Sequence, residues 1–167
     1  MLGNSNILIA QGGGPTNVIN KSLVGIIKQE KLLNSKIFGA LNGVTGIVNK
    51  RFINLTKISS NDLNLISQTP GAALGSTREK PDEKYCLEIL TILKEKKIER
   101  FYYIGGNDSS DSLRIISNFS KKIGYSLQCV HIPKTIDNDL VNNDHTPGFG
   151  SAAKYVAQLF SGINYDV

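Results

Sequence analysis

The chain has 167 residues, 40% hydrophobic and 20% charged, which suits a single globular domain able to bury most of its apolar surface. The first ten residues lack a basic start and a long apolar core, and no stretch reaches membrane-spanning length, so a cytoplasmic protein with no membrane partner is expected. Nineteen Lys and Arg against 14 Asp and Glu leave a net charge of +5, which favours anionic partners; with the basic residues scattered and no aromatic-rich basic stripe, small phosphorylated ligands fit better than nucleic acid.

Asn6 to Ala10 (NILIA) reads as a short buried strand running into Gln11 and the glycines Gly12, Gly13 and Gly14, followed by a helix from about Asn17 to Gln29. Lys36 to Leu41 forms a second candidate strand, with Asn42-Gly43 and Gly46 marking turns after it. Pro70 to Pro81 (PGAALGSTREKP) is too rich in Gly and Pro for a regular element and reads as a loop displaying Ser76, Thr77 and Arg78. The clearest helix follows. Pro81 suits its first position, Asp82 and Glu83 complement the helix dipole, and Cys86, Ile89, Leu90 and Leu93 share one face, with Lys94, Lys96 and Lys97 near the end.

Phe101 to Ile104 (FYYI) repeats the first unit, running into Gly105-Gly106-Asn107-Asp108 before an apolar helical face at Leu113, Ile116 and Phe119. Gln128 to Ile132 predicts one more strand ahead of PKTIDND, residues 133–139, and Ser151 to Phe160 reads as helical. Strands alternating with helices predict an α/β fold: a doubly wound, mainly parallel sheet with helices on both faces. Cys86 and Cys129 sit in apolar segments without metal-site spacing and read as buried spectators. His131, inside a strand, reads as a satisfied core residue, and His145 as a turn residue.

In such a sheet, ligands bind beyond the carboxyl ends of the strands, and every unusual motif falls at one. Taken alone, the glycine triplet is a tight strand-to-helix turn, since it lacks the ending of a P-loop and the full GxGxxG pattern. Taken alone, Asp137 and Asp139 are turn residues bonding local backbone. That reading leaves Lys134 and Asp108 without a reason. Phosphoryl transfer accounts for all four: it needs amides and cations around the moving phosphate, carboxylates to hold Mg²⁺, and one carboxylate to take the proton of the attacking hydroxyl.

GGND after one strand, PKTIDND after the next, LGSTR between the two glycine turns and the opening GGGP resemble the phosphofructokinase family, and TIDND is highly specific to it. Members transfer a phosphoryl group to the 1-hydroxyl of fructose 6-phosphate in glycolysis. The resemblance implies that Asp137 is the general base, that Asp139 supports Mg²⁺ and catalysis, and that Thr135 contacts the sugar. It implies a donor-phosphate site at Gly12, Gly13, Arg78, Gly106, Asp108 and Lys134. Asp108 and Lys134 replace glycines of the ATP-using branch and resemble the pyrophosphate-dependent branch. An aspartate there repels a nucleotide's α-phosphate, while Lys134 neutralises a compact pyrophosphate and so joins the catalytic set.

Asn107 stands where the GGDG pattern of the ATP branch has an aspartate that helps place Mg²⁺. Either the metal relies on Asp108 and Asp139 or its binding is weakened. The resemblance covers nearly all of the chain yet matches only the family's amino-terminal portion. Residues 1–167 are therefore expected to form the donor-binding and catalytic-base lobe, with the second, sugar-phosphate lobe absent and a homo-oligomer implied for the full-length enzyme. An ATP-dependent 6-phosphofructokinase and a noncatalytic phosphate-binding fragment remain the alternatives.

Overall fold

The computed structural model describes residues 5–16 and 18–163. Its strands are β1 (Asn6–Gln11), β2 (Lys36–Ala40), β3 (Phe52–Asn54), β4 (Ile98–Gly105) and β5 (Gln128–Pro133), and its helices are α1 (Ile19–Leu32), α2 (Gly43–Val48), α3 (Ser60–Gln68), α4 (Glu83–Glu95), α5 (Asn107–Lys122) and α6 (Phe149–Ile163). The strands form one sheet in the order β3-β2-β1-β4-β5, parallel except for β3 at its edge. From β1 the chain winds outward to β2, then returns to the other side of β1 for β4. The direction of winding therefore reverses between β1 and β4, which leaves a crevice beyond their carboxyl ends.

Alternation along the strands builds two cores. Leu8 and Ala10 stand opposite Phe101 and Tyr103 and face α2, α4 and α5. Ile7, Ile9 and Ile104 face α1, where Ile19, Leu23 and Ile27 are buried, and α3, which contributes Leu63. Helices on both faces explain why β1 is apolar on consecutive residues: each side of the sheet is covered. Each fully buried Ile or Leu contributes about 1.5–3 kcal/mol.

Local structure departs from the sequence reading in four places. The Asn42-Gly43 and Gly46 turn signals belong to the short helix α2, in which Val44 and Ile47 are buried. A side chain at Gly46 would sit 1.7 Å from the Leu41 carbonyl oxygen, so the glycine marks a close backbone approach. Pro81 is not the first helical residue: the Asp82 carboxylate accepts the Tyr85 amide at 2.8 Å and caps α4, which starts at Glu83. The segment between residues 51 and 69, left unassigned from sequence, forms β3 and α3. The latter is capped by Ser59, whose hydroxyl accepts the Asp62 amide at 3.0 Å.

Residues 1–4 and 164–167 of the expected lobe lie outside the described residues, as does Asn17, the expected start of the first helix. Among the described residues, no helix is long and apolar enough to cross a membrane. α6 makes no extensive contact with another described element, and its Tyr155, Val156, Leu159 and Phe160 are exposed.

Candidate functional site

The site begins with Gln11, a fully buried amide at the tip of the central strand. Its Nε2 donates to Asn20 Oδ1 at 3.1 Å and to the Ile19 carbonyl at 3.2 Å, while its Oε1 accepts the Leu74 amide at 2.9 Å. Asn20 Oδ1 also accepts the Ala73 amide at 2.9 Å. These two side chains tie the 70–81 loop to the sheet and so fix where Arg78 enters. The glycine turn is stitched to the same loop: the Gly13 amide donates to the Thr77 carbonyl at 2.9 Å, and the Ser76 hydroxyl donates to the Gly13 carbonyl.

At the tip of β4, Gly106 is the N-cap of α5, and Asn107 and Asp108 occupy the first turn. At the tip of β5, the Lys134 amide donates to the Gly105 carbonyl at 3.0 Å and its ammonium donates to the Gly14 carbonyl. Lys134 thereby joins all three bends. Beyond it, the Asp137 amide donates to Thr135 Oγ1 at 3.0 Å. Asn138, with φ of 57°, takes the left-handed conformation, and its Oδ1 accepts the Thr146 amide at 2.7 Å, closing the loop behind the two aspartates.

The bends and the 70–81 loop surround a cavity of about 500 Å³. The first bend supplies Gly13 and Gly14. The second supplies Gly106, Asn107 and Asp108, and the third Lys134, Thr135, Asp137 and Asp139, with Arg78 facing them from the loop. Of the residues singled out from sequence, Gly12 alone is not part of this lining. It is buried beneath, its amide bonded to the Ile104 carbonyl at 2.8 Å, and a side chain there would meet Ser109 Oγ at 2.5 Å and the Tyr103 hydroxyl at 2.7 Å.

Charge in the cavity is uneven. Lys134 is 4% exposed, and burial lowers its pKa from the ordinary lysine value, Arg78 lowering it further while Asp137 opposes. Asp108 is held below the usual carboxylate range by a hydrogen bond from Lys80, whose Nζ lies 2.8 Å from Asp108 Oδ1. Both partners are largely exposed, so solvent screens this pair, and it also screens the repulsion of a nucleotide expected at Asp108. Asn107 Nδ2 donates to Asp139 Oδ2 at 2.6 Å and so aims that carboxylate. Among the described residues, no three His, Cys, Asp or Glu side chains gather as a metal cluster. His131 is half-buried beside the site; burial lowers its pKa, and a ring nitrogen lies 3.0 Å from the Gly105 carbonyl. Burial pushes the Cys86 and Cys129 thiols up to about 11, which leaves them inert.

Sequence reasoning missed Lys80, Ser109 and the Gln11–Asn20 pair. No spacing rule marks the first two, but a Gln ending an apolar strand is itself a signal, because a buried amide demands partners.

The Phosphofructokinase family profile matches residues 6–166. A pyrophosphate-fructose 6-phosphate 1-phosphotransferase of Rhodospirillum rubrum is 57% identical over 162 residues, covering 96% of this chain and 40% of that protein. One from Xanthomonas campestris is 42% identical over 159 residues, covering 92% and 38%. The crystal structure of a pyrophosphate-dependent phosphofructokinase from Nitrosospira multiformis matches with a TM-score of 0.86 at 34% identity, covering 97% of this chain and 42% of that one. The chain spans about 40% of the length of these relatives.

Proposed function

Since the chain belongs to the phosphofructokinase family, we propose that it is the donor-binding and catalytic-base lobe of a pyrophosphate-dependent 6-phosphofructokinase. The observation that carries this is the meeting of Arg78, Asp108, Lys134, Asp137 and Asp139 on one cavity at the point where the winding of the sheet reverses.

Asp137 takes the proton of the 1-hydroxyl of fructose 6-phosphate, and the freed oxygen attacks the near phosphorus of pyrophosphate. The bridging P–O bond breaks, and orthophosphate leaves with that electron pair, its charge met by Arg78 and Lys134. The Lys134 ammonium has three N–H donors, one of them on the Gly14 carbonyl, so two remain to face the donor. Gly13, Gly14 and Gly106 give the phosphates an approach unobstructed by side chains. Gly12 serves beneath them as a packing residue. Thr135 holds the Asp137 turn through its hydroxyl and stands beside the sugar.

Mg²⁺ fits this donor set, because it takes one or two carboxylates and completes its shell with water and substrate phosphates. Asp108 and Asp139 would hold it, Asn107 acting on Asp139 and not on the metal; when bound, it supplies positive charge against the donor's phosphates. Asp108 is paired with Lys80 and screened by solvent, so its repulsion of a nucleotide is weak; the identity with pyrophosphate-dependent relatives is what supports pyrophosphate over ATP. We assign the protein to the cytoplasm, in keeping with its two unpaired cysteines, and the full-length enzyme to a homo-oligomer.

A noncatalytic phosphate-binding role is the second reading, favoured by the burial of Lys134 and its bond to the Gly14 carbonyl, which suit a structural cation as well as a catalytic one. Calorimetric titration of the chain with pyrophosphate and with ATP in Mg²⁺ is the test. It is paired with an assay of phosphoryl transfer to fructose 6-phosphate, with and without a polypeptide matching the rest of the relatives. Preferential pyrophosphate binding with turnover upholds the proposal, and equal use of ATP removes its donor assignment. Binding without turnover under both conditions selects the noncatalytic reading.

A further inference from the structure

We propose that Lys80 is a third donor-binding cation, stationed at the mouth of the cavity by Asp108; this rests on reading the cavity as a pyrophosphate site. The lining itself carries three carboxylates, Asp108, Asp137 and Asp139, against two cations, Arg78 and Lys134. Even with Mg²⁺ held by Asp108 and Asp139, that lining supplies less positive charge than a pyrophosphate carries negative. Lys134 is moreover buried and partly engaged by the Gly14 carbonyl, so it delivers less than a free ammonium.

Lys80 corrects the balance. Its Nζ lies 2.8 Å from Asp108 Oδ1, on the lip of the cavity, and the side chain is 58% exposed. An ammonium carries three donors, and Asp108 takes one, which leaves two for the oxygens of an incoming phosphate without breaking the ion pair. Lys80 follows Arg78 by two residues, just after the stretch where the Thr77 carbonyl accepts the Gly13 amide and Thr77 Oγ1 accepts the Glu79 amide, so its flexible four-carbon stem starts close to the site. Asp111, the other acidic group facing Lys80, lies further along α5 and is itself bonded to Arg114.

Equilibrium dialysis of the chain against radiolabelled pyrophosphate tests this. Lys80→Met is expected to weaken binding about tenfold, and Lys80→Arg by no more than about threefold, the range of a charge-assisted bond at an exposed position. The urea midpoint of both variants stays at the wild-type value, because the side chain is exposed. To separate direct contact from mere shielding of Asp108, the Lys80→Met comparison is repeated in an Asp108→Asn background. Persistence of the loss supports contact with the donor, and its disappearance overturns the inference. Equal binding by wild type and Lys80→Met also overturns it, leaving the pyrophosphate reading intact. A wild-type chain that binds no pyrophosphate sinks both.

Discussion

Replacing Gln11 with leucine isolates the link between the core and the 70–81 loop. Leucine fills a similar volume, so the cavity cost is small, but the Leu74 amide loses the Gln11 acceptor it holds at 2.9 Å, in a residue 5% exposed. The other two bonds leave no orphan: Asn20 Oδ1 keeps the Ala73 amide, and the Ile19 carbonyl retains its place in the α1 ladder. The penalty is then that of one unsatisfied buried donor, about 1–3 kcal/mol. With a urea m-value of about 2 kcal/mol/M, the unfolding midpoint should fall by about 0.5–1.5 M at unchanged m. Hydrogen exchange at the Leu74 amide should accelerate far more than at Ile9 in the same strand as the substitution. A stability change below about 0.5 kcal/mol, or unaltered Leu74 protection, would refute the claim that Gln11 anchors the loop.

The remaining expectations concern packing and titration. Gly12→Ala places a methyl 2.5 Å from Ser109 Oγ and 2.7 Å from the Tyr103 hydroxyl, and should cost about 1–3 kcal/mol in denaturant unfolding; a neutral result would mean that the strand tips yield. Burial raises the Glu30 carboxyl, but bonds from Ser35, Tyr102 and Arg100 outweigh it and bring the pKa below its ordinary value. Its stabilisation is therefore complete above the unfolded value near 4.5 and lost as pH falls through the lower folded value, so Glu30→Gln should flatten the acid limb of a stability–pH curve. Arg100→Met strands the Glu30 charge, 1% exposed, and should cost about 3–5 kcal/mol at neutral pH by the same measurement. Because the Lys134 pKa is lowered, pyrophosphate affinity should fall on raising pH through a value below 10.5, and Lys134→Arg should push that limb to higher pH in a dialysis series.

Much of the architecture could be read in advance, and the limits have physical causes. NILIA, FYYI and QCVHI were legible because strands covered on both faces are short apolar runs, and the glycines beyond two of them mark turns. The rim followed from topology alone, since parallel strands place their carboxyl ends together. β3 and α3 were invisible because an exposed three-residue edge strand and a helix burying only Leu63 leave little periodic signal. Pro81 was displaced by one competing interaction, the Asp82 cap. In the site, the three bends and their charged residues could be placed from sequence. Gly12 was not told apart from Gly13, because which of them meets the cavity depends on Tyr103 and Ser109 packing against one of them. Lys80 carries no sequence signal, because an ion pair across 28 positions has no local signature.

Gln11 shares its side of β1 with Ile7 and Ile9, so the apolar layer and the attachment of the loop are written in one alternating phase. Inserting a single residue into that strand would invert both together, turning isoleucines toward the opposite helices and the amide away from its loop. Descendants of this fold can retune their chemistry by exchanging side chains at the strand tips. They are barred from lengthening the middle strand to do so.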